Sequence, residues 1–281
     1  MKTILKYHGG KSYLAPEYAP IIRRALFRAG DSPRYIERFA GGLSMLFHLP
    51  GEGVAEFAGD ANGDLANFWR ILADDTAFRI FERKVNCVPF GDAAFEAALK
   101  SIGDADRSPV QRAVDFFVIA RQSRQGLCKS FATPTCRLRR GINENVSAWL
   151  AAVERLPEVH DRLRTVEVRQ GHFRELMKLD SPSAVFFDDP TYVKSTRTAK
   201  EAYGEFEMSL KDHEELLHGY VGMQGTFFLC GYDNELYRRY ESDHGWYRRE
   251  FPRPNSSSSK RDDEGRKEIK VEVLWSNRRF D

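Results

Sequence analysis

Five short stretches of the chain are apolar without clear alternation: Tyr35 to Phe39, Val54 to Phe57, Thr165 to Val168, Ala184 to Phe187 and Thr226 to Leu229. Short apolar runs of this kind predict strands in a sheet that is covered on both faces. Between them, apolar residues recur at helical spacing over Ser12 to Phe27, Asn62 to Leu72 and Ser209 to Tyr220. The last of these opens with Ser209 and has Asp212 three residues later, a capping-box-like start. Trp246 to Phe251 and Ile269 to Trp275 predict a terminal pair of strands. The Pro-, Ser- and charge-rich segment from Pro252 to Lys267, with four consecutive serines from Ser256, reads as their exposed, mobile connection.

The pattern changes between Ala73 and Leu163. Three helices are predicted there, Ala93 to Lys100, Val110 to Arg121 and Glu144 to Leu156, and no strand. Gly141-Ile142-Asn143 marks a turn before the last of them. The expected organisation is therefore an α/β sheet domain built from residues 1–73 and 166–281, interrupted after its second strand by a helical insert over residues 74–165.

Composition narrows the class. A chain of 281 residues with 42% hydrophobic and 30% charged positions has enough material for a real core and is neither disordered, collagen-like nor coiled coil. No run approaches the roughly 20 apolar residues of a membrane helix. The opening Met1-Lys2-Thr3-Ile4 leads into Tyr7, His8 and two glycines and does not read as a secretory signal. Cys87, Cys128, Cys136 and Cys230 are widely spaced without a CxxC pair, and the histidines show no ligand spacing. No metal site or disulfide framework is expected, and a reducing cytoplasm is the default location.

Net charge is only +2, yet it is unevenly spread. Residues 121–140 carry Arg121, Arg124, Lys129, Arg137, Arg139 and Arg140 and no acid. The insert as a whole holds 15 basic and 12 acidic residues. Such a block offers phosphate contacts to a nucleic acid; the plainer alternative is a solvated basic face.

Three patterns fall at the ends of predicted strands, where ligands bind in open α/β sheets. Glu37-Arg38-Phe39-Ala40-Gly41-Gly42 follows the first strand, and its glycines either let backbone approach a ligand or make a plain turn. Asp60 follows the second, about 20 residues beyond that turn; it suits either a ribose diol or the cap of the next helix. Asp188-Asp189-Pro190-Thr191-Tyr192 follows the fourth and brings a carboxylate, carbonyls and a flat aromatic face together. That set suits a planar substrate bearing an amino group; the alternative is a strand-ending turn with a core tyrosine.

In this order the patterns resemble the Dam-type DNA adenine-N6 methyltransferases, the alpha group of the D12 class. Lys6-Tyr7-His8-Gly9-Gly10-Lys11 is similar to K-W-x-G-G-K, with Tyr7 for tryptophan. Glu37 to Gly42 resembles E-P-F-x-G-x-G, Asp60 to Leu65 resembles D-x-N-x-D-L, and Asp189 to Tyr192 resembles D-P-P-Y. Cys230-Gly231-Tyr232 is similar to S-G-Y. The resemblance spans residues 6 to 232 and implies a Rossmann-like methyltransferase sheet with an inserted helical target-recognition domain.

The same resemblance implies S-adenosylmethionine as cofactor and double-stranded DNA as partner, with a monomer as the default state. It places Tyr7, Gly9, Gly10, Lys11, Phe39, Gly41, Asp60, Phe173 and Asp189 at the cofactor, with Lys11 toward its carboxylate and Phe173 beside its adenine. Asp189, Pro190, Thr191 and Tyr192 form the catalytic segment. The Asp189 carboxylate and Pro190 carbonyl would accept from the target amine, and Tyr192 would stack on an adenine flipped from the duplex. Arg121, Arg124 and Lys129 are expected on phosphates, and Arg137, Arg139 or Arg140 at base edges. His172, where the family often has an acid, reads as structural.

Two departures bear on activity. Leu43 stands at a family glycine, where a side chain is expected to narrow the cofactor site. Thr191 replaces the second proline of D-P-P-Y, an expected loss of rigidity that Thr191→Pro should reverse. These departures keep open a catalytically impaired DNA-binding relative, and an RNA adenine-N6 methyltransferase is the other alternative.

Overall fold

The computed structural model describes residues 1–7, 9–104, 106–197, 204–254 and 269–281. The bulk of the segment from Pro252 to Lys267, with its serines, lies outside the described residues, as does His8.

Seven strands form one sheet in the order β5-β2-β1-β6-β7-β9-β8. They are β1 (Arg34–Glu37), β2 (Ala55–Asp60), β5 (Val166–Gln170), β6 (Ala184–Asp188), β7 (Thr226–Tyr232), β8 (Tyr247–Pro254) and β9 (Ile269–Ser276). Pairing is parallel from β5 through to β7, whereas β9 runs antiparallel to both β7 and β8. The five parallel strands are those expected from the apolar runs, and the last two are the expected terminal pair.

Both faces of the sheet are covered, and alternate residues of each strand serve opposite layers. Tyr35, Val185, Phe187, Phe228 and Leu274 pack into one hydrophobic cluster. Ile36, Phe186, Phe227, Leu229, Val273 and Trp275 pack into the other. This two-sided burial is why the strands read as continuously apolar.

The second cluster is closed by α8 (Phe173–Met177), α9 (Leu210–Tyr220) and α10 (Glu235–His244). Ser209 caps α9 in a full capping box with Asp212, as its spacing predicts. The first cluster contains α1 (Ala15–Arg28) and α2 (Gly63–Ala73), and it continues without a break into the helices that follow. Those are α3 (Asp75–Asn86), α4 (Asp92–Ser101), α5 (Pro109–Gln122), α6 (Glu144–Val153) and α7 (Leu156–Leu163). Phe68 of α2 stacks on Phe117 of α5, their centroids 5.7 Å apart, so the inserted helices share a core with the sheet. Arg162 of α7 also grips the buried Glu56 of β2 through two hydrogen bonds of 2.6 Å.

One expectation fails in the insert. A small antiparallel hairpin, β3 (Leu138–Arg139) with β4 (Ile142–Asn143), stands where no strand is predicted. Arg140 and Gly141 at its tip have φ of 58° and 78°. A two-residue turn with both central residues left-handed is the tight hairpin turn that favours glycine second. Two-residue strands are too short to produce an apolar period, which is why the pattern hides them. The predicted helix over Glu144 to Leu156 also splits into α6 and α7, with Pro157 in the first turn of the second.

Candidate active site

Strand order reverses between β1 and β6, the switch point at which an open α/β sheet leaves a crevice beyond its carboxyl ends. A cavity of about 240 Å³ lies there. Its wall includes all nine residues expected at the cofactor: Tyr7, Gly9, Gly10, Lys11, Phe39, Gly41, Asp60, Phe173 and Asp189. Thr191 lines it as well.

Two strand ends are tied together at the floor. Gly41 has φ of 46°, a left-handed value that suits glycine, and its N–H donates to the Asp60 carboxylate at 3.0 Å. Asp60 also accepts from the Asn62 N–H at 2.9 Å. The cap of α2 is Asn62, which accepts from the N–H groups of Asp64 and Leu65. Asp60 is thus free of the capping role and sits in the cavity wall. Burial pushes its pKa up while the two backbone donors oppose this.

Across the cavity, the rings of Phe39 and Phe173 lie 5.7 Å apart. His172 caps α8 through a long contact with the Arg174 N–H, as a structural histidine would, and it also lines the cavity. Burial and neighbouring Arg174 lower its pKa, which favours the neutral ring.

The most concentrated chemistry lies at Asp189. The Lys11 ammonium sits 2.8 Å from its carboxylate, donates to the Gly9 carbonyl at 3.0 Å, and stands 4.7 Å above the centre of the Tyr192 ring. An amine is therefore already held between a carboxylate, a carbonyl and an aromatic face. Burial pushes Asp189 up to about 6, although Lys11 pulls the other way. Lys11 is held well above its ordinary value; burial acts against this, and the carboxylates of Asp189 and Glu272 outweigh it.

Pro190 and Tyr192 are buried beside the cavity rather than in its wall. The Tyr192 hydroxyl donates to Glu272 at 2.5 Å, and its ring meets Tyr232 edge-on at 4.8 Å. Behind Asp189, Asp188 is fully buried and paired with Arg38 at 2.5 and 3.0 Å, and it accepts from the Tyr220 hydroxyl at 2.7 Å. This pins the end of β6 to the end of β1.

Both departures from the family pattern read differently in three dimensions. Leu43 does have left-handed backbone, φ 52°, which explains why glycine suits the position. Its side chain is fully buried in the first core cluster and does not line the cavity, so it does not narrow it. Thr191 accepts a hydrogen bond from the Met208 N–H at 2.9 Å through its hydroxyl, a bond proline lacks. That bond holds residues 205–208, which form part of the cavity wall and which no sequence pattern marked. Thr191→Pro is therefore expected to slow methyl transfer and weaken cofactor binding a few-fold, the reverse of the sequence expectation; turnover and titration calorimetry check this.

The basic residues of the insert separate into two groups. Arg121 is withdrawn from the expected phosphate contacts. It is partly buried, donates to the Ala148 carbonyl and so ties α5 to α6; burial lowers its pKa to about 10. Arg124, Lys129, Arg137, Arg139 and Arg140 are exposed, the last three on or beside the β3–β4 hairpin. Arg137 and Arg140 make loose ion pairs with Glu144 and Glu154 at 3.5 Å. The loop carrying Arg124 and Lys129 rests on the N-terminal segment. Lys6 donates to the Ser123 carbonyl at 3.2 Å, and a side chain at Gly126 would lie 2.3 Å from the Lys6 carbonyl oxygen.

A parallel sheet reversing at this crevice, with an acid at the second strand end and an acceptor cage at the fourth, defines a Rossmann-like methyltransferase. The model of the D12 class N6 adenine-specific DNA methyltransferases matches residues 7–250, and the chain belongs to that family. It is an enzyme of DNA adenine methylation, and the family implies a methyl donor. No individual curated protein matches the chain. Among the described residues no group of three or more His, Cys, Asp or Glu is placed to hold a metal, and no helix is long and apolar enough to cross a membrane.

Proposed function

We propose that the enzyme uses S-adenosylmethionine to methylate N6 of an adenine flipped out of double-stranded DNA, with Asp189 as the principal acceptor. The observation that carries this is the convergence of the nine expected cofactor residues on one cavity, with the Lys11–Asp189 pair in its wall. The donor set fits the cofactor: an acid for a ribose diol, two phenylalanines for a purine, and a lysine for a carboxylate. When bound, the cofactor supplies a methyl group on a positively charged sulfur.

The chain's own residues do the rest. The N6 lone pair of adenine is delocalised into the ring. The Asp189 carboxylate and the Pro190 carbonyl, accepting from its N–H groups, localise it and stabilise the positive charge that develops at nitrogen. Tyr192 offers its ring to the flipped base and offsets part of the lost stacking. Lys11 is paired with the Asp189 carboxylate, one of these two acceptors. It yields that carboxylate to the target amine and turns toward the cofactor carboxylate.

DNA is held by the insert. The exposed Arg124 and Lys129 meet phosphates, and the basic two-stranded hairpin enters the major groove, which admits a β-ribbon. Arg137, Arg139 and Arg140 are its base readers. The inserted helices over residues 74–165 then act as the target-recognition domain, and residues 1–73 and 166–281 as the catalytic domain.

Titration calorimetry with S-adenosylmethionine tests the cofactor assignment. Asp60→Ala should weaken binding by about tenfold or more, the value of a hydrogen bond to a charged group. Unchanged affinity would remove Asp60 from the site.

A further inference from the structure

Glu272 is a buried carboxylate on β9, beyond the residues that the family model matches. It collects hydroxyls from separate parts of the chain. Tyr13, two residues after Lys11, donates to one oxygen at 2.6 Å, and Tyr192 of the catalytic segment donates to the other at 2.5 Å. Tyr232 is its registered partner across the β7–β9 ladder. A carboxylate has about four lone-pair sites, so one group can hold both phenols, one on each oxygen. Hydrogen bonds to an ionised acceptor are roughly twice as strong as neutral ones. The two hydroxyls come from beside the N-terminal motif and from the D-P-P-Y-like segment, and the ladder ties Glu272 to the end of β7, so Glu272 is the common anchor of segments that the active site needs in fixed relation.

We propose that Glu272 is a positioning residue for methyl transfer, acting through Tyr192. Its carboxylate fixes the plane of the Tyr192 ring and, by accepting a hydrogen bond from the phenol, makes the ring face more electron-rich. A cation already rests on that face, the Lys11 ammonium. Under the reading given above, on which this inference rests, the target base takes that place and becomes positively charged as nitrogen is methylated. A more negative ring face then favours the charged transition state over the neutral ground state. Glu272 touches neither base nor cofactor and does not line the cavity.

The test compares Glu272→Gln, Tyr192→Phe, Tyr192→Ala and the double variant Glu272→Gln/Tyr192→Phe in the full chain. Single-turnover transfer to duplex DNA and cofactor binding by calorimetry are measured for each. Glu272→Gln keeps size and one acceptor oxygen but loses the charge. It should slow transfer about tenfold while leaving the cofactor dissociation constant within about twofold. The double variant should be no slower than Tyr192→Phe alone, since the carboxylate acts through that hydroxyl. The acid limb of the rate profile should also move to lower pH, because the Glu272 charge is one cause of the raised Asp189 pKa. A role confined to stability would move none of these at a temperature where the variant is folded. Should Glu272→Gln not fold, Tyr192→Phe leaves Glu272 its bond from Tyr13 and must show the same slowing. Transfer lost in Tyr192→Ala but unchanged in Glu272→Gln or in Tyr192→Phe would overturn the positioning role alone. Transfer indifferent to Tyr192→Ala would overturn the reading of Tyr192 and the inference with it.

Discussion

Asp189→Ala is expected to reduce methyl transfer by about a thousandfold while DNA binding persists. Removing one preorganised partner of a developing charge commonly costs a factor of about 10²–10³, and here the partner is an ionised carboxylate in a buried cage. Asp189→Asn, which keeps one acceptor oxygen, should lose less. The acceptor must be ionised to act, and burial places its pKa at about 6. The rate should therefore fall as pH drops through about 6, close to tenfold per unit below it. Lys11→Met removes the cation that opposes the shift, so its acid limb should lie at higher pH than the wild type's. The linkage to stability has the opposite benefit. The folded pKa lies above the ordinary 3.8, so ionised Asp189 costs stability at neutral pH, and that cost is relieved as pH falls through about 6. A wild-type profile flat from pH 5 to 8 would contradict the role given to this carboxylate.

Arg38→Ala should destabilise the protein by about 3–5 kcal/mol. Arg38 and Asp188 are both fully excluded from water and bonded at 2.5 and 3.0 Å. Truncating the arginine leaves a buried carboxylate with only the Tyr220 hydroxyl to offset its charge, and breaking such a pair from one side costs this much. The guanidinium also lies 5.0 and 5.1 Å from the centres of the Phe186 and Tyr220 rings, and the substitution removes its attraction to both faces. Arg38→Leu combined with Asp188→Leu should recover much of the loss, because replacing both partners by apolar groups removes the unpaired charge. Denaturant unfolding measures both. A loss below about 1 kcal/mol for Arg38→Ala would show that the pair does not hold the strand ends together.

The sheet was legible because each of its parallel strands is short, apolar and bounded by turn residues. The residues that line the cavity were gathered by the resemblance, because glycines and acids at strand ends taken alone also suit plain turns and helix caps. Arg38 was passed over although it is a charge at the end of an apolar strand; its partner lies 150 residues away on a neighbouring strand. Glu272 was hidden for the same reason. Within Lys270-Val271-Glu272-Val273 it reads as the outward residue of an alternating strand, and only the pairing of β9 with β7 brings it against the catalytic segment. The placement of the Leu43 side chain in the core and the bond from the Met208 N–H to Thr191 were not legible, because a family pattern gives the residue expected at a position and not the direction its side chain takes. The hairpin from Leu138 to Asn143 escaped because its two-residue strands have no periodicity to detect.

The most direct test of the central claim is to incubate the wild-type enzyme with methyl-labelled S-adenosylmethionine and mixed-sequence duplex DNA, then digest the product to nucleosides. The account predicts label in N6-methyladenine alone, at sites sharing a short sequence. Label on the cytosine amino group, or no label although the DNA is bound, would contradict it.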